Sequence, residues 1–182
     1  MTDAKSSSVE FTQAGAIYRP GNGNVIEYKR VNGIYYHVDT PDAVIRALEQ
    51  ARSGRQRIRI YYGDRTSGRD WLEEHHVQGY IGNSMGPLKV PLLIQSRRSL
   101  GGPALLDHCI VRVKGTTGGV LYQHPTYHTG TLTIRETGPD DNIGGQNLLG
   151  LGLTHTVLVD GQTHANFKNL AAAQRYLRRM TT

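Results

Sequence analysis

The stretch T40-P-D-A-V-I-R-A-L-E-Q-A-R-S-G-R-Q-R-I-R-I-Y-Y62 decides the fold. Its first half repeats at helical spacing and its second half alternates, so a helix runs directly into a strand. Thr40 suits the helix N-cap, Pro41 the first helical position, and Asp42 the positive end of the helix dipole. Ala43, Val44, Ala47, Leu48 and Ala51 form one apolar face, and Ser53-Gly54 ends the helix. In the strand, Ile58, Ile60 and Tyr62 point one way, while Arg57, Arg59 and Tyr61 point the other.

On the N-terminal side, residues 25–30 and 34–38 flank Asn32-Gly33, a strong hairpin signal. Residues 1–24 are rich in Ser, Gly and Asn and lack periodicity, which predicts a flexible N-terminal arm. On the C-terminal side, residues 64–68 read as a tight connection and residues 70–75 as a helical turn. Short strands are expected over 77–81, 88–94, 110–114, 120–122 and 131–134. Together these predict an α+β domain over residues 25–137, a curved antiparallel sheet or small barrel with a packed helix.

Residues 138–152 are Gly- and Asn-rich and read as a linker. Beyond it, strands at 154–159 and 163–167 flank Asp160-Gly161, and Asn169 is placed to cap a helix over 170–180. Leu170, Ala173, Leu177 and Met180 share one face of that helix. Residues 153–182 thus form a hairpin–helix appendage. A hairpin and one helix cannot bury a core alone, so it is expected to dock on the main domain or on another subunit.

The chain has 182 residues and carries a formal charge of +6 with a pI of about 9.6. A basic balance of this kind favours phosphorylated or polyanionic partners. No apolar run approaches the roughly 20 residues that span a bilayer, so no membrane partner is expected. The N-terminus lacks the apolar core of a signal peptide, and the single Cys109 forms no internal disulfide. Both point to a cytoplasmic compartment.

Several chemistries fit poorly. His124 and His128 have the i, i+4 spacing of a zinc helix, but Pro125 argues against a helix there, so no metal is assigned. Cys109 opens the apolar run C-I-V-R-V and reads as a small buried hydrophobe rather than a nucleophile of Asp107-His108-Cys109. The Glu73-Glu74 pair reads as solvated charge. The loop from Gly63 to Gly68 lacks the Gly-Lys-Ser/Thr of a phosphate-binding loop. Gly101-Gly102-Pro103 opens no βαβ unit, which excludes the dinucleotide fingerprint. No catalytic set and no cofactor is assigned. What remains is arginine and aromatic side chains on Gly-bearing turns, an arrangement suited to a phosphate and a stacked base. A nucleotide-cleaving enzyme using His and Glu, and a basic nucleic-acid-binding protein, stay open as alternatives.

Four blocks carry these residues: R59-I-Y-Y-G-D-R-T-S-G-R-D-W-L-E-E74, G79-Y-I-G-N-S-M-G-P-L-K-V-P-L-L93, R98-S-L-G-G-P-A-L-L-D-H-C-I-V-R112 and Y122-Q-H-P-T-Y-H128. They resemble the first type of phage Thoeris anti-defence protein, a family of sponges that sequester cyclic ADP-ribose signals. The resemblance covers residues 34–135. It implies a protein that is not an enzyme. It would act in the cytoplasm of a bacterial host, binding cyclic ADP-ribose-type signalling nucleotides and holding them without cleavage. It also implies a homo-oligomer, dimer or hexamer, with pockets between subunits. Some members resemble dual sponges that take cyclic trinucleotides at a separate site. On motif position, Arg69, Arg97, Arg98 and Arg112 are the phosphate candidates and Tyr61 and Trp71 the stacking candidates. Asn83, Asp107, His108, His124 and His128 are the candidates for ribose or base contacts.

Overall fold

The computed structural model describes residues 7–72, 77–96 and 101–181. The chain divides into two compact units, Met1–Tyr127 and His128–Thr182. The fold is mixed α+β, with antiparallel sheets and two helices.

The first unit opens with a four-stranded meander: β1 (Ser8–Phe11), β2 (Gly15–Arg19), β3 (Ile26–Val31) and β4 (Ile34–His37). The arm expected over residues 1–24 therefore contains two strands, Ser8–Phe11 and Gly15–Arg19. It pairs as consecutive hairpins: Val9 lies opposite Tyr18, and Ile17 opposite Glu27. Residues in β1 are exposed along its whole length, so apolar periodicity could not mark it as a strand. Asn32 and Gly33, with φ of 49° and 80°, turn β3 into β4 as expected of Asn-Gly.

Helix α1 (Asp42–Ser53) buries Val44, Ile45, Ala47, Leu48 and Ala51. Complete burial of Leu48 alone is worth about 1.5–3 kcal/mol relative to exposure. Glu49 on the same helix accepts from the Tyr36 hydroxyl at 2.5 Å and from Arg52, tying α1 to β4. Thr40 does not cap the helix. The helix starts at Asp42 with Pro41 in the N-cap position, which leaves Thr40 one residue outside it, and the Thr40 hydroxyl donates to buried Asp107 at 2.8 Å.

Behind α1 lies a six-stranded sheet of β5 (Ile58–Asp64), β6 (Arg69–Asp70), β7 (Val77–Asn83), β8 (Pro91–Ile94), β9 (Ile110–Gly115) and β10 (Val120–Gln123). Its order is β10-β9-β5-β7-β8, with β6 paired to the end of β5. The path ends at β10 and β8, so of the two forms expected this is the antiparallel sheet and not a closed barrel. Ile58, Ile60, Ile110 and Val113 meet the apolar face of α1 to make the core. The connection at residues 64–68 is tight, as read: Gly68 N–H donates to the Asp64 carbonyl at 2.7 Å. The helical turn expected over 70–75 is strand at Arg69–Asp70, where pairing with Gly63–Asp64 takes the backbone groups. Trp71 and Leu72 have no regular structure, and residues 73–75 lie outside the described residues. At Gly63 an added Cβ would sit 2.1 Å from the Arg69 carbonyl oxygen, so only glycine lets β6 close on β5.

The second unit contains β11 (Leu132–Glu136), a short hairpin of β12 (Asn142–Ile143) and β13 (Gln146–Asn147), β14 (His155–Val159), β15 (Gln162–Phe167) and α2 (Leu170–Thr181). The expected hairpin–helix is there, and the Asn169 side chain accepts from the Ala172 N–H at 2.9 Å as its cap. The expected boundary is not. The strand read at 131–134 is β11, which pairs with β14 inside this unit, so the division falls after Tyr127. The supposed linker over 138–152 is also part of the unit, pinned where Arg135 pairs Asp141 at 2.6 and 2.8 Å. The third strand and Leu148 give the appendage a core of its own with Val157, Val159, Ala173, Tyr176 and Met180. Among the described residues, no helix is long and apolar enough to cross a membrane.

Candidate functional site

A pocket of about 320 Å³ opens in the first unit between β3, β4, the start of β8 and the turn before β9. Ile26, Val90, Pro91, Leu105 and Leu106 form apolar walls, and Tyr28, His37, Asp107 and His108 supply polar groups. The sequence accounts for the arrangement. The antiparallel register sets Tyr28 opposite His37, and their rings meet edge to face with centroids 6.3 Å apart. A single 3₁₀ turn at Asp107–Cys109 then brings His108 over His37. The two imidazoles overlap at 4.2 Å with 30° between their planes.

Asp107 is the keystone. It is buried, and its Oδ2 accepts from the His37 backbone N–H and from the Thr40 hydroxyl, both at 2.8 Å. Oδ1 lies 4.0 Å from His108 Nδ1, beyond hydrogen-bond range. His108 Nδ1 is buried and has no partner among the described residues. The backbone around it is held from behind, where one Arg65 amino group donates to the Asp39 carbonyl at 2.7 Å and to that of His108 at 3.4 Å.

Burial, then the neighbouring His37, holds the His108 imidazole below its ordinary value, so it is neutral near pH 7. Burial and Asp107 push the Tyr28 phenol up, and the same two causes raise the Cys109 thiol. Cys109 is therefore a protonated thiol, though it lies half-buried in the turn before β9 and not buried in the strand as its sequence context suggested. The site thus offers two stacked imidazoles, a phenol and an apolar wall. Such a surface suits a flat heterocycle with a few hydrogen-bonding edges.

A second cluster lies on β5, β6 and β9. The Arg112 guanidinium sits between the rings of Tyr61 and Tyr127, 5.2 and 5.1 Å from their centroids. The Tyr127 hydroxyl donates to buried Asp70 at 2.8 Å, and burial, with Asp70, pushes that phenol far up. Tyr61 is 1% exposed with Arg112 against its face, so it presents no open face to a ligand. In this structure Tyr61 and Arg112 pack against each other.

The other candidates scatter. Trp71 is 46% exposed and does not line the pocket. Asn83 is exposed at the end of β7, its amide donating to the Ser84 carbonyl. Arg69 lies in β6. His124 bonds Thr126, which in turn donates to the Ser67 carbonyl at 2.8 Å. His128 is exposed and belongs to the second unit. Arg97 and Arg98, with Glu73 and Glu74, lie outside the described residues. Of the eleven candidates, the pocket gathers Asp107 and His108. Tyr28, His37, Thr40 and Arg65 were missed. Asp107-His108 next to a turn was the available signal, but nothing in the sequence paired it with the end of β4. Among the described residues no three His, Cys, Asp or Glu side chains gather as a metal ligand set. Comparison with family models, with curated proteins and with solved structures returns no match.

Proposed function

We propose that this chain captures a cyclic ADP-ribose-type signalling nucleotide in the His37–His108 pocket and holds it without cleaving it. It would serve as a phage anti-defence sponge in the cytoplasm of a bacterial host. The observation that carries the reading is that Asp107-His108, part of the block R98-S-L-G-G-P-A-L-L-D-H-C-I-V-R112, lines an apolar-walled pocket beside a second stacked imidazole. Further support comes from the Asp107 carboxylate, whose Oδ2 is engaged in holding His37 and Thr40. A site that binds without reacting needs its polar groups fixed and its base-stacking surface preformed, which lowers the ordering cost of binding. A separate cyclic trinucleotide site and a dimeric or hexameric assembly belong to the same proposal, resting on the resemblance alone.

Calorimetric titration with cyclic ADP-ribose isomers tests the reading. One isomer should bind with Kd below about 1 µM, roughly −8 kcal/mol, and tighter than linear ADP-ribose. Linear ADP-ribose binding as well as every cyclic isomer would remove the proposed ligand class. One observation favours a second reading, a nucleotide-cleaving enzyme: an Asp and two His side chains share the pocket.

A further inference from the structure

The second unit carries a notch of about 350 Å³ lined by Phe167, Ala172, Arg175, Tyr176 and Arg179. It is separate in sequence from the four blocks and from the pocket described above. Its floor is aromatic: the Phe167 and Tyr176 rings pack at 5.0 Å, and Tyr176 is buried. The Tyr176 hydroxyl is fixed by the ring of His164 on β15 at 3.0 Å. Its rim is cationic. Arg175 and Arg179 stand four residues apart on α2, so they share one face one turn from each other. Both are exposed, and the Arg179 guanidinium lies over the Tyr176 ring at 5.4 Å.

The sequence around this rim is rich in positive charge. From Gly161 to the C-terminus there is no Asp or Glu, against Lys168, Arg175, Arg178 and Arg179. Like charges one turn apart on a helix repel, and an anion between Arg175 and Arg179 relieves that repulsion. Guanidinium groups match phosphate oxygens in pairs, which favours phosphate over a simple halide. Beside them, Ala172 stands one turn before Tyr176, and its short side chain leaves the notch open. The span from Ala172 to Arg179 is about 10 Å of helix axis, room for one ring and one phosphate.

We infer that the notch on α2 is a nucleotide-phosphate site, holding a phosphate between Arg175 and Arg179 and a base against Ala172 and Phe167. The ligand is a phosphate joined to an aromatic base, supplied either as a free mononucleotide or as a residue of a single-stranded nucleic acid. The inference rests on this unit alone and stands apart from the proposed sponge.

The test titrates the full chain with adenosine monophosphate, inorganic phosphate, adenosine and a short oligodeoxythymidylate. The mononucleotide should bind at least about tenfold more tightly than phosphate or adenosine, since both halves of the notch contribute. The double variant Arg175→Gln/Arg179→Gln changes only exposed side chains, and it should lose at least about tenfold in that affinity. Ala172→Leu, which fills the floor but keeps both charges, should lose mononucleotide binding while retaining phosphate. Both variants should keep the wild-type titration with cyclic ADP-ribose. Unchanged mononucleotide affinity in the double variant would overturn the site. So would loss of that affinity in His108→Gln instead, since the nucleotide would then occupy the first unit. An oligonucleotide that binds tighter than the mononucleotide and weakens steeply with salt makes a strand the ligand; equal affinity makes it the free nucleotide, and either result sustains the site.

Discussion

Replacing Asp107 with alanine is expected to lower the stability of the first unit by roughly 3–4 kcal/mol. The buried carboxylate accepts two hydrogen bonds, from the His37 N–H and the Thr40 hydroxyl, each at 2.8 Å. Bonds to a charged acceptor are worth about 1.5–3 kcal/mol each, and removing the acceptor leaves both donors without this partner. Their positions enlarge the effect. His37 ends β4 and Thr40 precedes α1, so this one side chain ties the meander, the helix and the turn before β9. Trp71, the single tryptophan, lies in the first unit and reports its unfolding. In urea, the midpoint followed by its fluorescence should fall by about 1–3 M. Asp107→Asn keeps an acceptor oxygen at the same distance and should fall by about half as much. A midpoint within about 0.3 M of wild type for the alanine variant would mean that the carboxylate holds nothing together.

The second large effect is on binding. His108→Gln should weaken cyclic ADP-ribose capture by roughly 10- to 100-fold while leaving the urea midpoint near the wild-type value at pH 7. His108 stacks on His37 at 4.2 Å, and its Nδ1 is buried without a partner among the described residues. Glutamine keeps hydrogen-bonding capacity but loses the ring, so what it removes is the stacking surface. The same variant has a pH signature. His108 faces His37, Asp107, Asp39 and Arg65, and with burial the balance holds its imidazole below the ordinary value. Below about pH 6.5 the unfolded chain therefore takes up a proton before the folded chain does. Stability contributed by the neutral ring is intact above that pH and is lost as pH falls toward the folded value. His108→Gln removes this contribution, so its stability should fall less than that of wild type between pH 7 and acid. Equal affinity for the ligand, or an unaltered acid slope, would take His108 out of the site.

The elements were legible where local chemistry decides them. Asn32-Gly33 and Asp160-Gly161 both form turns with positive φ at both residues, and the α1 face is buried largely as its spacing predicts. Tertiary contacts were not legible. The exposed β1 carries no apolar alternation, and β11 reads as a strand without showing which unit it pairs in. Thr40 has the look of a cap and spends its hydroxyl on a residue 67 positions away. The same limit applies to the site. Tyr61 and Arg112 carry the aromatic and cationic chemistry of the sequence reading, and in the fold they lie against each other. His37 was passed over as one arm of a hairpin, because only the fold sets it under His108.

The central claim is capture without chemistry, and recovery of the ligand tests it most directly. The protein is incubated with cyclic ADP-ribose, separated from unbound nucleotide, and heat-denatured, and the released material is identified by mass spectrometry. Unchanged cyclic ADP-ribose is expected, in an amount that tracks the protein and does not grow with incubation time. Linear ADP-ribose or another altered product accumulating beyond the protein concentration would contradict it and make the His37–His108 pocket the centre of a cleaving enzyme.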